Sequence, residues 1–458
     1  MSTALFGTDG YRGNFDNSTE QGINPTTFER LSYEYAHLIK EKDNGSPVVI
    51  VGGDTRESSP VLIDAVCSGV TKAGVDAWDV GSLPTPVIAW LANKYSTYGE
   101  IVTASHNDFT CNGLKVFDKS GFKLSTEPTE ELERRFFESF ADNRNIGKAR
   151  QATRLDMSHL YSEYLSGVYD SLGGKNYLAG KTVIIDGANG AAFEIAPMLY
   201  RALGAKVIEY ACSNSGRLIN NGCGAAHLEG VKSFIDEHPD IVNAADFLGA
   251  FANDGDADRV MGVDRNGRTV DGNYWLRHLA IGQIGIVGTI YTNSALRKEV
   301  SDMGVEFHEC ANGDQHVTEK LLQLSRNRGP GFTRGGEFTG HIIDLEHLPS
   351  GDGIYMGALM AVIMAKRGIN LADIKDEMTL WPEKMMNIRL ANGNAKAVAN
   401  HETVREAILI EQARLGEAGR IIVRASGTEQ LLRVWTEAED GSMIDSVVDN
   451  ISRVAQSV

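Results

Sequence analysis

The chain has 458 residues, 42% of them hydrophobic and 23% charged, which indicates a globular protein of about three or four domains. Its formal net charge of -17, without any block of clustered Lys and Arg, argues against a nucleic-acid-binding surface. The five cysteines are scattered and include no Cys-x-x-Cys pair, so neither a disulfide framework nor a zinc knuckle is predicted. No signal-like segment opens the chain, and the apolar run at 354–365 is too short for a membrane span. We therefore predict a cytoplasmic protein that contacts neither nucleic acid nor membrane.

Short β-branched runs alternate with amphipathic segments of helical length, which is typical of βαβ units and mostly parallel sheets. In chain order, the predicted elements are strands at 48–51 and 101–103 around a helix at 60–73, strands at 182–187 and 206–210 around a helix ending near 203, a strand at 247–253, a strand at 288–292, and helices at 317–324 and 353–366. From about residue 369 the pattern changes to a strand at 386–390, a helix at 402–415 and two strands flanking 426–428. This change predicts a smaller α+β domain.

An acidic segment, Asp-Gly-Asp-Ala-Asp-Arg at 254–259, follows the apolar strand predicted at 247–253. Carboxylates at every second position, here Asp254, Asp256 and Asp258, are able to converge on one hard divalent cation, and an all-oxygen ligand set suits magnesium or calcium better than zinc. An EF-hand loop is excluded, because its sixth and twelfth positions would be Arg259 and Arg265 instead of Gly and Glu. The remaining alternative is a solvated acidic turn.

Ser105 directly follows a predicted strand, at the carboxyl end where open α/β sheets usually bind ligands, so it is a candidate nucleophile. An ordinary loop serine is the alternative. The chain has no Gly-x-Ser-x-Gly segment, and the adjacent His106 is not an obvious base for Ser105, so phosphoryl transfer fits better than serine hydrolysis. Lys115 would serve as the acid/base if its surroundings lowered its pKa, whereas the alternative is a surface lysine.

Two further segments carry clustered polar groups. Glu337, Thr339 and His341 alternate on a Gly-flanked turn, which suits recognition of vicinal sugar hydroxyls, although a glycine hairpin with incidental polar residues is an equal alternative. The second segment joins two predicted strands through small residues, and its backbone N–H groups, hydroxyls and flanking guanidinium groups predict a phosphate cradle. The residues of that cradle are Arg424, Ser426, Gly427, Thr428 and, beyond them, Arg433.

Taken in order, four segments resemble the signature loops of the α-D-phosphohexomutase family. They are Ser-His-Asn at 105–107, Asp-Gly-Asp-x-Asp-Arg at 254–259, Gly-Glu-x-Thr-Gly-His at 336–341 and Ser-Gly-Thr-Glu at 426–429. The resemblance extends from Gly-Thr-Asp-Gly-Tyr-Arg-Gly at 7–13 to Arg433. Within the family the chain is especially similar to bacterial phosphoglucosamine mutases, through Phe-Gly-Thr-Asp-Gly at 6–10, Ile-Asn-Asn-Gly-Cys-Gly at 219–224 and Gly-Thr-Glu-Gln-Leu-Leu-Arg-Val at 427–434.

The resemblance implies an α/β architecture of four domains around a central cleft, three of them related and built on mixed sheets, the fourth a smaller C-terminal α+β domain. We predict the boundaries as 1–155, 156–252, 253–368 and 369–458. The implied activity is the interconversion of glucosamine 6-phosphate and glucosamine 1-phosphate through a phosphoserine and a sugar 1,6-bisphosphate, which also primes the enzyme. A phosphoglucomutase or phosphomannomutase acting on neutral hexose phosphates, and a non-catalytic sugar-phosphate-binding homologue, remain alternatives. The oligomeric state is not predicted.

By the same resemblance, Ser105 would be the phosphoserine carrier, and one Mg²⁺ would lie between its phosphate and Asp254, Asp256 and Asp258. Arg12, His106 and Lys115 would flank the transferred group, with Lys115 the acid/base. Arg259 would lie beside the metal ligands, and Glu337, Thr339 and His341 would hold the sugar. The phosphate that is not transferred would be bound by Arg424, Ser426, Gly427, Thr428 and Arg433.

Several positions depart from the family pattern. Asp108 and Gln430 stand where the family usually has proline, and Thr339 replaces a commoner serine. Because proline fixes φ, its loss predicts less stiff loops, but no catalytic group is removed. Relatives of the phosphoglucosamine type usually carry basic residues around the Gly-Asp at 313–314, where this chain has Asn312 and Gln315. That loss predicts an altered sugar preference or a weaker grip on phosphate.

Overall fold

The computed structural model describes residues 5–7, 9–16, 18, 22–43, 45–141, 146–390, 394–425 and 431–458. The chain forms two units, one built from residues 1–292 and 300–377, and the other from 293–299 and 378–458. The larger unit contains three sheets and the smaller unit one.

The first sheet has the strand order β1-β5-β4-β2-β3-β6. Its strands are β1 (Tyr11–Asn14), β2 (Val48–Gly53), β3 (Asp76–Ser82), β4 (Tyr98–Val102), β5 (Cys111–Phe117) and β6 (Thr153–Arg154), with helices α1 (Pro25–Lys42), α2 (Ser59–Lys72), α3 (Thr85–Tyr95) and α4 (Thr126–Ala141). The adjacent strands β6, β3, β2 and β4 pair in parallel, whereas β5 pairs antiparallel with both β4 and β1. All five residues of β4 are buried, as expected for a strand covered on both faces.

The second sheet has the order β11-β10-β9-β7-β8. Its elements are β7 (Thr182–Asp186), β8 (Lys206–Tyr210), β9 (Phe247–Asn253), β10 (Val260–Val263) and β11 (Thr269–Val270), with α5 (Met157–Ser171), α6 (Ile195–Ala202), α7 (Glu229–Glu237) and α8 (Pro239–Val242). The strands β8, β7 and β9 are parallel, and β10 and β11 are antiparallel. Every residue of β9 is buried, which confirms the strand predicted from its apolar run.

The third sheet has the order β13-β12-β14-β15. Its elements are β12 (Gly285–Thr289), β13 (Glu306–Cys310), β14 (Arg334–Gly336) and β15 (Ile342–Asp344), with α9 (Gly272–Leu279), α11 (Asp314–Arg328), α12 (Gly353–Arg367) and α13 (Leu371–Asp376). Helix α10 (Ser294–Asp302) is divided between the two units, since residues 293–299 belong to the smaller one. The strand predicted at 288–292 is wrong in its bounds. A turn, in which the Thr292 amide donates to the Thr289 carbonyl at 2.9 Å, ends β12 three residues early.

Each of the three sheets contains the same arrangement: three adjacent parallel strands, followed by a fourth strand that runs antiparallel to them. In each sheet the connection between those last two strands, β4 to β5, β9 to β10 and β14 to β15, carries a segment singled out in the sequence. The predicted fold class is confirmed, and the three sheets are mixed, because antiparallel strands extend the parallel pairs that the βαβ pattern indicates. The domain boundaries stay predictions.

The smaller unit contains an antiparallel sheet of order β16-β18-β17. Its elements are β16 (Glu383–Arg389), β17 (Gly419–Ala425) and β18 (Leu431–Ala438), with α14 (Ala395–Ala399), α15 (Glu402–Leu415) and α16 (Ile444–Ser457). The apolar face of α16, which includes Val447, Val448 and Ile451, is buried in the core of this unit. Across the described part of the chain, no helix combines the length and the apolar character needed to cross a membrane.

Candidate active site

Ser105 lies just beyond the end of β4, in a turn that the Asn107 amide closes by donating to the Ala104 carbonyl at 3.2 Å. Its φ of 52° is left-handed, which is uncommon for a residue with a side chain. The side chain is buried, and Oγ donates to Asp254 Oδ2 at 2.7 Å. The fold thus brings the candidate nucleophile against the acidic segment, 149 residues away in the sequence.

The acidic segment forms the connection between β9 and β10, and the carboxylates of Asp254, Asp256 and Asp258 are all buried. Oxygen atoms from the three carboxylates lie within 4.8 Å of one another. Oδ1 of Asp256 and Oδ1 of Asp258 are buried and make no hydrogen bond with any described residue. A buried carboxylate oxygen without a hydrogen bond is costly unless a cation lies near it, as His341 and Arg259 lie near Asp258 Oδ1. The three clustered carboxylates together fit a hard divalent ion. The alternative of a solvated acidic turn is therefore wrong.

Lys115 projects from β5 into the same cluster and is 1% exposed. Its Nζ donates to Asp256 Oδ2 at 2.7 Å and to Asp258 Oδ2 at 2.6 Å, and it lies 3.2 Å from Asp9 Oδ1. The alternative of a surface lysine is wrong. Burial alone would lower the pKa of Lys115, but the charges of Asp256, Asp258 and Asp9 outweigh burial and raise it. Lys115 is therefore an ammonium group in this arrangement, rather than the lysine of lowered pKa that an acid/base role suggests from sequence.

The acidic carboxyls do not share one electrostatic state. Burial, with the neighbouring charges of Asp258 and Asp256, raises the pKa of Asp254 to about 7. Burial also acts to raise the pKa of Asp258, but Lys115 and His341 overcome it and hold that pKa well below its usual range. Asp254 and Asp258 are therefore distinguished by their partners. Asp258 lies against Lys115 and His341, whereas Asp254 accepts from the neutral Ser105 hydroxyl and has the Arg259 guanidinium group at 3.9 Å.

Arg12, His106 and Arg259 surround the cluster. Arg12 lies on β1, pairs with the Asp9 carboxylate and approaches the Ala104 carbonyl at 3.4 Å. Arg259 Nε lies 3.9 Å from carboxylate oxygens of Asp254 and Asp258. Burial, followed by the charges of Arg259 and Arg12, lowers the pKa of His106 to about 4, so its imidazole is neutral near pH 7. The site combines carboxylates with guanidinium groups, which suits an anionic substrate held beside a cation.

The turn between β14 and β15 holds Glu337, Thr339 and His341. Glu337 accepts from the Gly313 amide at 3.0 Å and from Thr339 Oγ1 at 3.3 Å, so these two polar side chains meet. His341 does not join these two side chains. It is buried with Nδ1 3.5 Å from Asp258 Oδ1 and Nε2 3.5 Å from an oxygen of Asp314. Its side chain therefore connects the acidic segment with α11.

Lys123 and Asp314 belong to this network and were not predicted from the sequence. Lys123 Nζ is 2.5 Å from Asp314 Oδ2 and also pairs with Asp9. Residue 315 is a glutamine and supplies no positive charge beside Gly313 and Asp314. That charge comes instead from Lys123, in a different segment of the chain. Gln315 instead lies with its amide 3.4 Å from the Leu124 carbonyl. No local signal marks Lys123, because its partner is 191 positions away.

Thr85 was also not predicted. At the start of α3, its Oγ1 donates to Asp256 Oδ2 at 2.5 Å and its amide donates to the Asp256 carbonyl at 2.9 Å. A threonine that opens a helix ordinarily satisfies its own helix, so its sequence context gives no sign of this contact.

In the smaller unit, Arg424 and Arg433 are directly paired residues on the antiparallel strands β17 and β18. Like charges placed opposite each other repel, and a bound anion would relieve that repulsion. Nε of Arg433 is buried and makes no hydrogen bond with the described residues. Ser426, Gly427 and Thr428, which complete the predicted phosphate cradle, and Gln430 lie outside the described residues.

The sequence matches three components of one family: "Phosphoglucomutase/phosphomannomutase, alpha/beta/alpha domain I" at 3–142, "domain III" at 270–380 and "C-terminal domain" at 385–454. The chain is 35% identical to "Phosphoglucosamine mutase 2" of Shewanella frigidimarina over the whole of both proteins. A phosphoglucomutase/phosphomannomutase family protein of Burkholderia thailandensis superposes with a TM-score of 0.79 at 20% identity, covering 100% of this chain and 98% of that one.

Another solved structure, Aspergillus fumigatus N-acetylphosphoglucosamine mutase in complex with GlcNAc-6P and magnesium, has a TM-score of 0.64 at 17% identity, with 99% of this chain and 95% of that chain covered. The chain belongs to the phosphoglucomutase/phosphomannomutase family, the α-D-phosphohexomutases. It is thus an intramolecular phosphotransferase of the isomerase class, in a family that depends on magnesium.

Proposed function

We propose that the protein interconverts glucosamine 6-phosphate and glucosamine 1-phosphate through a phosphoserine at Ser105 and a sugar 1,6-bisphosphate. The observation that carries the proposal is the 2.7 Å contact between the buried Ser105 Oγ and Asp254, within a cluster that also contains Asp256, Asp258 and Lys115. A serine in such surroundings has cationic and metal-ligating groups to stabilise charge on a phosphoryl group. The full-length relatives named phosphoglucosamine mutase support the amino sugar as substrate.

In the proposed reaction, the bond from Ser105 Oγ to phosphorus breaks as a bond forms between phosphorus and a sugar hydroxyl oxygen. The proton of that hydroxyl passes to the protein, and Lys115 Nζ is the group that would hold and return it. Lys115 would act from its neutral amine form, which requires that another cation neutralise the charges of Asp256 and Asp258 that hold it as an ammonium group. A magnesium ion held by Asp254, Asp256 and Asp258 supplies charge neutralisation beside the phosphoryl group. In the second half of the reaction, the bisphosphate returns its other phosphoryl group to Ser105.

The remaining residues bind and orient the substrate and the acidic segment. Arg12, His106 and Arg259 flank the transferred phosphoryl group, with His106 in its neutral form. Glu337 and Thr339 hold sugar hydroxyls. We assign His341 to orienting the acidic segment, because its ring lies between Asp258 and Asp314. The phosphate that is not transferred is assigned to Arg424, Arg433 and the segment 426–428. The cytoplasmic location remains a prediction from sequence.

A panel of sugar phosphates tests the substrate. Isomerisation of glucosamine, glucose and mannose phosphates is measured side by side, with magnesium and a catalytic amount of sugar 1,6-bisphosphate. We expect the highest kcat/KM for the amino sugar. A preference for glucose or mannose would instead assign the neutral-hexose activity. Binding of sugar phosphates without turnover of any would favour a non-catalytic homologue.

Replacement of the carrier tests the mechanism. We expect Ser105→Ala to lower steady-state turnover by about three orders of magnitude or more, because the variant has no oxygen to accept the phosphoryl group. Intact mass measurement should find a phosphoryl group on the native chain and none on the variant. Ser120→Ala, at an exposed serine of the same sheet region, is the matched control and should keep full activity. Undiminished turnover of Ser105→Ala would rule out the phosphoserine mechanism.

A further inference from the structure

The turn that presents Ser105 is held in a conformation that its own sequence does not favour. Ser105 has a left-handed φ of 52°, and the next residues lack the φ-fixing proline that would stiffen the turn. Unfavourable backbone angles persist only where the surroundings impose them. The contacts of residues 105–111, which we call the serine loop, identify what imposes them here.

Arg56 contacts the serine loop from the segment between β2 and α2, and it is 1% exposed. One terminal nitrogen donates to the Ser105 carbonyl at 3.0 Å and the Asn107 carbonyl at 2.8 Å. The other donates to the Cys111 carbonyl at 3.0 Å and to the Asp108 carbonyl. Since Nε donates to Asp54 Oδ2 at 2.9 Å, all five N–H donors of the guanidinium group are used.

Asp54 fixes Arg56 in turn. Its carboxylate accepts from Thr103 Oγ1 at 2.7 Å and from Ser59 Oγ at 3.0 Å, as well as from Arg56. Thr103 Oγ1 also accepts from the Ser105 amide at 2.9 Å. The serine is therefore bound through both its amide and its carbonyl to groups anchored at the ends of β2 and β4.

Asn220 provides a second, independent hold from the connection between β8 and α7. Its Nδ2 donates to the Ser105 carbonyl at 2.8 Å and to the Asn107 carbonyl at 2.9 Å. Two of the carbonyls that Arg56 binds are thus bound twice, once from a loop of the first sheet and once from a loop of the second. Asp108 adds a local constraint, because its Oδ1 accepts from the Thr110 amide at 2.8 Å and from Thr110 Oγ1 at 2.5 Å.

We propose that Arg56 and Asn220 are positioning residues that hold Ser105 Oγ in line for phosphoryl transfer, an inference that rests on the proposed function. Together they constrain the turn in which this chain has Asp108 and no proline. Reaction rates depend steeply on placement, and an error near 1 Å costs about 100-fold. Lysine is no substitute at position 56, since it lacks the planar fork that reaches four carbonyls and a carboxylate together.

The experiment compares Arg56→Lys and Asn220→Ala with the native chain and with Arg217→Lys, a control at an exposed arginine. The first readout is the single-turnover rate at which Ser105 takes a phosphoryl group from glucose 1,6-bisphosphate in the presence of magnesium. Intact mass measures the phosphorylated fraction of the chain over time. We expect the single-turnover rate to fall by about 100-fold in Arg56→Lys and by roughly 10-fold in Asn220→Ala. The bisphosphate concentration that gives half the maximal rate should change by less than about threefold, because neither residue is assigned to substrate binding. The second readout is hydrogen exchange, which should accelerate at 105–111 and stay unchanged in α16 (Ile444–Ser457) of the smaller unit.

A folded Arg56→Lys with native phosphorylation rate and native exchange overturns the assignment of Arg56. If that variant does not fold, Asn220→Ala still decides, because it removes two hydrogen bonds without disturbing a buried charge; native values in both readouts overturn the inference. A native chain that takes up no phosphoryl group at Ser105 refutes the proposed function instead. In that case the exchange readout alone tells whether Arg56 and Asn220 hold the serine loop.

Discussion

Lys115 and the carboxylates of Asp256 and Asp258 form a buried ion cluster with direct consequences for metal binding. Buried charges are tolerated when they are paired, and removal of one partner leaves the others uncompensated. The Lys115 ammonium group pairs with Oδ2 of two of the carboxylates that are also the candidate metal ligands, and its single charge offsets half of theirs. Lysine and divalent cation are therefore electrostatic competitors for the same two carboxylates, which thermal melts are able to test.

We expect Lys115→Met to lower the melting temperature of the metal-free protein, because three buried carboxylates then repel one another with less compensation. Magnesium should raise the melting temperature of the variant by more than it raises that of the native protein, since the ion no longer competes with an ammonium group. Turnover should be lost in the same variant. Thermal melts with and without magnesium provide the measurement.

Lys119→Met is the control for this prediction, because Lys119 is exposed and belongs to the same region of the chain. It should leave both melting temperatures within about 1 °C of the native values, as surface ion pairs contribute little. A magnesium-induced shift in Lys115→Met that is equal to or smaller than the native shift would show that the lysine does not compete with the ion.

At the scale of elements, the loops of the site are packed backbone against backbone. The Ala191 amide donates to the Gly255 carbonyl at 2.8 Å, which ties the loop after β7 to the acidic segment. A Cβ added at Gly190 would lie 2.3 Å from the Gly255 oxygen, and one added at Gly255 would lie 2.6 Å from the Ser105 oxygen. Glycine is required at both positions by close approach, so the serine and the acidic segment share one rigid wall.

We expect Gly190→Ala to displace the acidic segment, because a contact of 2.3 Å with backbone is not sustainable and the backbone must move. Overpacking of this kind typically costs about 1–3 kcal/mol of unfolding free energy. Titration calorimetry should show weaker magnesium binding, and denaturant melts should show the lower stability. Gly45→Ala, whose added Cβ meets one side-chain oxygen at 3.3 Å, should alter neither. Native magnesium affinity in Gly190→Ala would show that the contact between the loop after β7 and the acidic segment does not affect metal binding.

The elements of the fold were largely predictable from sequence, whereas the contacts between them were not. The apolar run of β9 and the alternating carboxylates after it are local signals, so both the strand and the clustering of the candidate metal ligands could be predicted. The grouping of Ser105 with that segment came from the family resemblance. Arg56 and Lys123 were missed, because each acts through partners brought close by the tertiary fold and neither has a distinctive sequence context.

For the molecule as a whole, buried carboxyls make folding sensitive to pH. Glu100 on β4 is fully buried, accepts from Ser32 Oγ at 2.6 Å, and has a second oxygen that makes no hydrogen bond with the described residues. Burial raises the pKa of Glu100 to about 8, and burial likewise raises the pKa of Asp186 to about 7. Both groups bind protons more tightly in the folded state than in the unfolded chain.

For Glu100 the sign follows from proton binding in the two states. Between its unfolded pKa of 4.5 and its folded pKa of about 8, the unfolded chain has lost the proton that the folded chain retains. Each pH unit in this window therefore lowers the unfolding free energy by roughly 1 kcal/mol, while below it and above it the contribution is constant. Glu100→Gln mimics the protonated carboxyl at every pH and removes this dependence. Asp186 is unchanged in the variant, so its contribution cancels in the comparison.

We expect native protein and Glu100→Gln to have similar melting temperatures at pH 5 and the variant to be the more stable at pH 8, with the difference growing steadily between them. The measurement is a series of thermal melts of both proteins from pH 5 to 8 in buffers of equal ionic strength. Glu130→Gln, at an exposed glutamate of α4, removes one carboxylate without burial and should follow the native curve. A constant difference between native protein and Glu100→Gln across the range would show that Glu100 is ionised in the folded state, and that its burial is compensated by partners other than a proton.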